Sequence, residues 1–217
     1  MPVQAKICGL TTPETLAAAL RHQASHVGFV FFAKSPRDLT PEKAGALAAM
    51  VPYHVRKVGV FVDPEPDFLA AVLRHAKLDA IQLHGDEPPE AVAALRDAHG
   101  VEVWKAIPVR TRADLERARG YRGSADRILY DARPPRGADL PGGLGLRFDW
   151  RLLARGSGGF VHPLPWALSG GLDAANVADA VGITGAGLVD VSSGVERAPG
   201  LKDVDKIAAF LQAVAQL

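Results

Sequence analysis

The chain has 217 residues, of which 48% are hydrophobic and 23% are charged, and its formal net charge at pH 7 is +1. This length favours one sizeable domain, and so small a net charge excludes a general basic field for nucleic acid or anionic membrane. No run approaches the roughly 20 apolar residues that span a bilayer, and no signal segment is visible. The single cysteine cannot form an internal disulfide, which fits a reducing compartment. We therefore expect a cytoplasmic protein with no nucleic-acid or membrane partner.

Eight short apolar runs, rich in Val, Ile, Leu and Phe, follow one another without strict alternation between apolar and polar residues. Such runs are typical of parallel strands that are covered on both faces. The predicted strands are Val3–Cys8, Val27–Phe31, Lys57–Val62, Ala80–His84, Glu102–Ala106, Arg127–Asp131, Trp166–Ser169 and Leu188–Val191.

Helical segments separate the predicted strands. Thr12-Pro13 and Thr40-Pro41 each combine a capping residue with a proline at the first helical position. The last predicted helix has one apolar face, formed by Ile207, Phe210, Leu211 and Val214. Alternating strands and helices predict parallel pairing, and eight such units favour a closed barrel over an open doubly wound sheet. The predicted fold class is α/β, with residues 1–217 forming a single (βα)8 TIM barrel domain.

The stretch between the sixth and seventh predicted strands breaks this pattern. Residues 132–147 contain Pro134-Pro135 and Pro141-Gly142-Gly143-Leu144-Gly145. Proline and glycine at this density prevent regular structure, so we expect a mobile loop after the sixth strand. The loop can act as a lid at the mouth of the barrel, or it can be a surface insertion without function.

Polar or reactive residues follow the predicted strands at the end where (βα)8 barrels carry their active site. Together with Arg37 from the loop after the second strand, they are Cys8, Asp63, His84, Lys105, Asp131, Ser169 and Ser192. The sequence alone gives no role to Asp63, His84 or Lys105.

Cys8 and Asp131 are the candidate catalytic residues, because a thiolate can remove a proton and a carboxyl group can donate one. A nearby cation such as Lys6 would assist the thiolate by lowering the pKa of the thiol. Both residues also have a structural interpretation, Cys8 as a small buried apolar residue and Asp131 as a helix cap or a partner of Arg133. Redox sensing is disfavoured, because the chain has no second cysteine.

Two serine-glycine turns follow the seventh and eighth predicted strands, where barrels commonly bind phosphate. Glycine lets backbone N–H groups approach an anion, although each turn can also be a tight turn and nothing more. The candidate substrate-binding residues are Gly170, Gly171, Ser192, Ser193 and Gly194 in these turns, and Arg37, which can grip a carboxylate with two hydrogen bonds. Histidines at metal-ligand spacing and nucleotide-binding motifs are absent, so we expect no metal and no cofactor.

In these residues the chain resembles the phosphoribosylanthranilate isomerases of tryptophan biosynthesis. The matching segments lie in order over almost the whole chain. They are Lys6-Ile7-Cys8-Gly9, Gly28–Phe31, Ser35-Pro36-Arg37, Lys57–Val62, Gln82–Glu87, Trp104-Lys105-Ala106, Pro165–Leu172, Asp190–Glu196 and Gly200–Asp203.

This resemblance implies a (βα)8 barrel that catalyses an Amadori rearrangement. N-(5-phosphoribosyl)anthranilate, a small phosphosugar, becomes the 1-(2-carboxyphenylamino)-1-deoxyribulose 5-phosphate ketose. The general base of the family falls on Cys8, its general acid on Asp131, and its contact with the anthranilate carboxylate on Arg37. The chain departs from the family at Leu144, where a threonine is frequent, and at Asp63, where many members have asparagine. The oligomeric state does not follow from the sequence.

Two other functions remain open at this point. One is a different phosphosugar barrel, such as the isomerase of the histidine pathway, which resembles a duplicated half-barrel with two aspartates. Here the first strand offers Cys8 instead, and the two halves show no repeat. The other is a non-catalytic phosphosugar-binding protein, which would keep Arg37 and the glycine turns without needing both Cys8 and Asp131.

Overall fold

The computed structural model describes residues 2–135, 137–154 and 159–217. Eight of the strands in these ranges form one sheet: β1 (Gln4–Cys8), β2 (His26–Phe31), β3 (Arg56–Phe61), β4 (Ala80–Leu83), β5 (Glu102–Val109), β6 (Arg127–Ala132), β7 (Trp166–Leu168) and β8 (Leu188–Val191). Each pairs in parallel with the next, and β1 pairs with β8, so that the sheet closes on itself. Every strand of this closed sheet overlaps one of the predicted runs, and the predicted TIM barrel is confirmed.

Helices follow most of the strands. Those in the described ranges are α1 (Pro13–Arg21), α2 (Pro41–Ala48), α3 (Pro66–Ala76), α4 (Pro89–His99), α5 (Arg112–Glu116), α6 (Val177–Thr184) and α7 (Val204–Val214). The side chains of Thr12 and Thr40 cap α1 and α2 as predicted, by accepting hydrogen bonds from the N–H groups of Thr15 and Lys43. None of these helices has both the length and the hydrophobicity needed to cross a membrane.

The connection between β6 and β7 differs from the others. Residues 133–135 and 137–149 contain no helix or strand, and a short 3-10 helix at Trp150–Leu153 follows them. An irregular segment is therefore present where the density of proline and glycine predicts one. Arg136 lies outside the described residues, and the mobility of the segment stays a prediction.

Two apolar layers surround the strands because successive side chains point to opposite faces. The outward side chains pack against the helices in the main hydrophobic core. Inside the barrel, a smaller cluster around the fully buried Trp104 fills the half where the strands begin. Cys8, Val30 and Val60 form a third cluster above it. The interior is thus solid at one end and can hold a ligand only at the end where the strands finish.

A short hairpin completes the mouth of the barrel after β8. Its antiparallel strands are β9 (Glu196–Ala198) and β10 (Leu201–Lys202), and it follows a 3-10 turn at Ser193–Val195. The hairpin brings a buried carboxylate and a buried ammonium group to the rim, on Glu196 and Lys202.

Candidate active site

A cavity opens at the end of the barrel where the strands finish, and its empty space together with the solvent at its mouth is about 830 Å³. All the site residues predicted from the sequence line this cavity: Cys8, Arg37, Asp131, Gly170, Gly171, Ser192, Ser193 and Gly194. The fold therefore brings together residues that are far apart in the chain, which is the geometric condition for the roles predicted for them.

Cys8 lies at the floor of the cavity with a buried cation beneath it. Lys6, two residues earlier on the same face of β1, donates a hydrogen bond from Nζ to Oδ1 of Asp190 at 2.8 Å. Gly28 makes room for both side chains, since a Cβ there would lie 3.0 Å from the Cys8 Sγ and 3.1 Å from the Lys6 Cε. Burial raises the pKa of the Cys8 thiol, and the Lys6 ammonium opposes this rise. The predicted cation is present, but burial is the larger effect.

Asp131 faces the cavity from β6. Its Oδ1 accepts a hydrogen bond from the N–H of Ala132 at 2.8 Å, and its Oδ2 lies 3.2 Å from Nε2 of His84. The other ring nitrogen of His84, Nδ1, lies 3.3 Å from Nε2 of Gln82. The alternative partner of Asp131, Arg133, forms an ion pair with Asp114 instead. Gln82, His84 and Asp131 thus form a short chain of polar side chains, and all three line the cavity.

Arg37 is held at the rim by a buried ion pair. Its Nε and Nη2 donate to the two carboxylate oxygens of Glu196 at 2.7 and 2.8 Å, and Lys202 approaches the same carboxylate at 2.6 Å. Burial raises the pKa of Glu196, but the two cations outweigh it and hold that pKa below its usual range. Nη2 also donates to the carbonyl oxygen of Gly143. A substrate carboxylate therefore has to bind through Nη1, or through Nη2 in place of the Gly143 carbonyl group.

The two serine-glycine turns lie beside each other at the mouth. Gly170 and Gly171 have φ values of +91° and +64°, which glycine adopts without strain. A Cβ on Gly194 would lie 1.9 Å from a backbone carbonyl oxygen, so no larger residue fits there. Lys202 donates from Nζ to the carbonyl oxygen and Oγ of Ser192 at 2.9 and 3.1 Å. The glycines let a ligand come close to the backbone, and Lys202 adds a positive charge beside it. Both features favour the binding of a phosphate group.

The loop after β6 covers the side of the cavity that carries Asp131. Gly142 lies directly over the contact between Asp131 and His84, because a Cβ there would be 2.7 Å from Asp131 Oδ2 and 2.8 Å from His84 Nε2. Real Cβ atoms do not approach other atoms so closely, and a side chain at this position would displace the loop.

The same loop also contacts the rim. Arg37 donates to the carbonyl oxygen of Gly143 at 3.0 Å, and Arg147 donates to that of Gly171 at 2.9 Å. Leu144 lines the cavity with 42% of its surface exposed. The loop therefore contacts both predicted binding regions, the one at Arg37 and the one at the glycine turns. Sequence analysis did not predict these contacts.

Two of the strand-end candidates lie outside the cavity lining. Lys105 is not at a strand end, because β5 continues to Val109. Its side chain faces away from the barrel interior and pairs with Glu87 at 3.0 Å. Asp63 is exposed and does not line the cavity.

Four further residues take part in the site although sequence analysis gave them no place in it: Gln82, Asp190, Glu196 and Lys202. Asp190 carried a usable signal, since a charge inside a buried apolar strand needs an internal partner. Glu196 and Lys202 lie in a hairpin that the apolar pattern does not predict. Gln82 is polar within a buried strand and carries the same kind of signal as Asp190.

The mouth of this barrel carries a thiol, a carboxyl group, an arginine and two glycine turns. Such a site is typical of an enzyme that uses acid–base catalysis on a small phosphorylated substrate. The sequence model of the family described as N-(5'phosphoribosyl)anthranilate (PRA) isomerase matches residues 5–213. The chain belongs to this family of isomerases. This membership excludes the two other functions that the sequence left open, a different phosphosugar barrel and a non-catalytic phosphosugar-binding protein.

Individual relatives agree with the family. The chain is 58% identical to the N-(5'-phosphoribosyl)anthranilate isomerase of Zymomonas mobilis subsp. pomaceae and 56% identical to that of Rhodospirillum centenum, over 100% of both chains in each case. The crystal structure of the enzyme from Thermotoga maritima has a TM-score of 0.86 and 38% identity, and the match covers 99% of this chain and 100% of that one. A further structure of such an isomerase, in complex with reduced 1-(o-carboxyphenylamino)-1-deoxyribulose 5-phosphate, has a TM-score of 0.83 and 37% identity with the same coverage.

Proposed function

We propose that Cys8 and Asp131 are the general base and general acid of the family reaction, the conversion of N-(5-phosphoribosyl)anthranilate into its 1-deoxyribulose ketose in tryptophan biosynthesis. The observation that carries this assignment is that both side chains line one cavity, one from β1 and the other from β6. A base and an acid on separate strands can reach adjacent atoms of one small substrate from two sides.

The proposed reaction begins at the ring oxygen of the sugar. Asp131 donates its proton to this oxygen, the bond from the oxygen to C1 breaks, and the nitrogen lone pair forms a protonated Schiff base. The Cys8 thiolate then removes the proton from C2, and the electron pair of that bond neutralises the Schiff base to give an enolamine. Tautomerisation of the enolamine gives the ketone. The substrate nitrogen supplies the electron pair for ring opening and receives the pair of the C2–H bond in the next step.

Substrate binding is assigned to the two ends of the cavity. The anthranilate carboxylate binds Arg37, which Glu196 holds in place. The phosphate binds the backbone of Gly170, Gly171 and the turn at 192–194. The Glu196–Lys202 pair joins the two binding regions, because Lys202 also contacts Ser192. We also propose that the enzyme works in the cytoplasm, in keeping with its single cysteine.

The assay for this function follows the fluorescence of freshly made phosphoribosylanthranilate. We expect the signal to decay at a rate proportional to the concentration of the protein. A decay that stays at the spontaneous rate at every protein concentration would rule out the proposed function.

Removal of the Lys6 charge is expected to raise the pKa of the Cys8 thiol further, because the ammonium group stabilises the thiolate. The rate of alkylation of Cys8 by iodoacetamide measures the thiolate fraction, so the alkylation profile of Lys6→Met moves to higher pH. This variant also leaves Asp190 buried without its cation, at a cost of about 3–5 kcal/mol in stability. The double variant Lys6→Met/Asp190→Asn removes both charges and serves as the control. Its profile shifts less than that of the single variant, and an unshifted profile in Lys6→Met would contradict the role of Lys6.

Limited proteolysis tests the lid function of the loop. We expect trypsin to cleave after Arg147 in the protein alone and to be slowed there by reduced 1-(2-carboxyphenylamino)-1-deoxyribulose 5-phosphate. Gly142→Ala is expected to lose most of this protection, because its Cβ collides with Asp131 and His84 when the loop is seated. Equal cleavage at saturating analogue in the parent protein would show that the segment does not close over the ligand.

A further inference from the structure

Ser169 is a polar residue of the cavity lining that the proposed mechanism leaves without a role. It follows β7 directly and is 8% exposed. Its Oγ donates a hydrogen bond to Oδ2 of Asp190 at 3.2 Å, and Oδ1 of the same carboxylate accepts from Lys6 Nζ at 2.8 Å. As the carboxylate of an ion pair, Asp190 can only accept, and it therefore fixes the direction of the Ser169 proton.

This arrangement makes the hydroxyl group of Ser169 an acceptor toward the cavity. A hydroxyl group has one proton and two lone pairs. The proton is directed at Asp190, and no group in the described part of the chain donates to Ser169 Oγ. A hydrogen bond to a charged acceptor is about twice as strong as one between neutral groups, so the proton stays on the Asp190 side. Ser169 thus offers a lone pair to a ligand group that can donate, such as a hydroxyl group.

Ser169 lies between the proposed acid and the proposed base along the wall of the barrel. Neighbouring strands place Asp131 on β6, Ser169 after β7, Asp190 on β8 and Cys8 on β1. Gly170, the next residue, lies against the acid, because a Cβ there would be 3.0 Å from Asp131 Oδ1. The two charged ends of the substrate are assigned to other residues, so the sugar between them is the part that reaches Ser169.

We propose that Ser169, oriented by Asp190, accepts a hydrogen bond from the 2-hydroxyl group of the sugar and thereby turns the hydrogen on C2 toward Cys8. The inference rests on the proposed function, in which Cys8 removes that hydrogen. The hydroxyl group and the hydrogen are substituents of the same carbon. When the hydroxyl group is held on the β7 side of the cavity, the hydrogen is free to face β1, which carries Cys8.

The same contact distinguishes the substrate from the product. In the ketose, C2 is a carbonyl group, which has lone pairs but no proton to donate. Its oxygen would face a second acceptor at Ser169, so the hydrogen bond that holds the substrate is lost when the ketone forms. This loss favours the release of the product.

Two ligands that differ by a single oxygen atom test the contact. Reductive amination of ribose 5-phosphate with anthranilate gives an unreactive analogue that keeps the 2-hydroxyl group, and 2-deoxyribose 5-phosphate gives the counterpart without it. In isothermal titration calorimetry, we expect the parent protein to bind the hydroxyl analogue about tenfold more tightly, the effect of one hydrogen bond. Ser169→Ala should bind both analogues with nearly equal affinity. Ser124→Ala, the same replacement in a turn outside the cavity lining, should keep the preference of the parent.

The ratio of the two affinities separates a ligand contact from a structural role. If Ser169 only supported the fold, Ser169→Ala would weaken both analogues equally and keep the parent ratio, and this result would overturn the proposal. A parent protein without a preference would overturn it as well. The keto product supplies a second ratio, since the parent should bind it about tenfold less tightly than the hydroxyl analogue. Ser169→Ala should narrow this difference, and an unchanged difference would contradict the contact.

Turnover measured beside these titrations shows which proposal fails. A parent protein that binds neither analogue and does not isomerise phosphoribosylanthranilate would refute the proposed function. Normal turnover together with equal binding of the two analogues would refute only this inference.

Discussion

Replacement of Cys8 by alanine is expected to lower kcat by about 10²- to 10⁴-fold, which is the usual contribution of a general base. Without the sulfur, the C2 proton loses its proposed acceptor. The affinity for the reduced product analogue should change little, because the thiol acts mainly in the transition state. Steady-state fluorescence kinetics and titration with the analogue measure the two quantities.

Cys8→Ser is the matched control, since it keeps a small polar group of similar shape. A hydroxyl group ionises far less readily than a thiol, so this variant should be almost as slow as the alanine variant. In the parent enzyme, burial raises the pKa of Cys8, and the thiolate fraction near neutrality is therefore small. Turnover should accordingly rise with pH until this pKa is passed. Near-normal turnover in both variants would remove Cys8 from the mechanism.

Asp131→Asn is expected to reduce kcat to a similar degree, by about 10²- to 10⁴-fold, because an amide cannot donate a carboxyl proton to the ring oxygen. The shape of the side chain is preserved, so analogue affinity and thermal stability should stay close to those of the parent. The same fluorescence assay measures turnover, and thermal unfolding reports on the fold.

The companion variant for Asp131 is Asp67→Asn, an identical replacement on the exposed first turn of α3. This variant should have normal kinetics. If Asp131→Asn and Asp67→Asn were equally active, ring opening would have to use another proton donor.

The barrel could be predicted from the sequence because its signals are local. Apolar runs, threonine-proline caps and the spacing between them recur along the chain, and each unit can be recognised without knowledge of its neighbours. The end of a strand is less certain. A predicted end at Ala106 made Lys105 a candidate for the active site, but the strand continues through Pro108, and its pleat directs Lys105 outward.

The partners within the site could not be predicted in this way. Arg37 binds Glu196, 159 residues further along the chain, and no local pattern links the two. The chain from Gln82 to Asp131 depends likewise on how β4 is placed relative to β6. The glycine turns were found because their positions after the last two strands follow from the fold class itself.

The ion pair between Lys6 and Asp190 has a further consequence for how the molecule is assembled. It crosses the seam at which the first and last strands join, so a charge from each end of the polypeptide meets in the dry interior. An ammonium group sealed there alone would be penalised by several kcal/mol. The pairing of β1 with β8 therefore closes the barrel and places Asp190 beside Lys6 in the same step. A chain that stops short of β8 would have neither a closed barrel nor the charged surroundings of the Cys8 thiol.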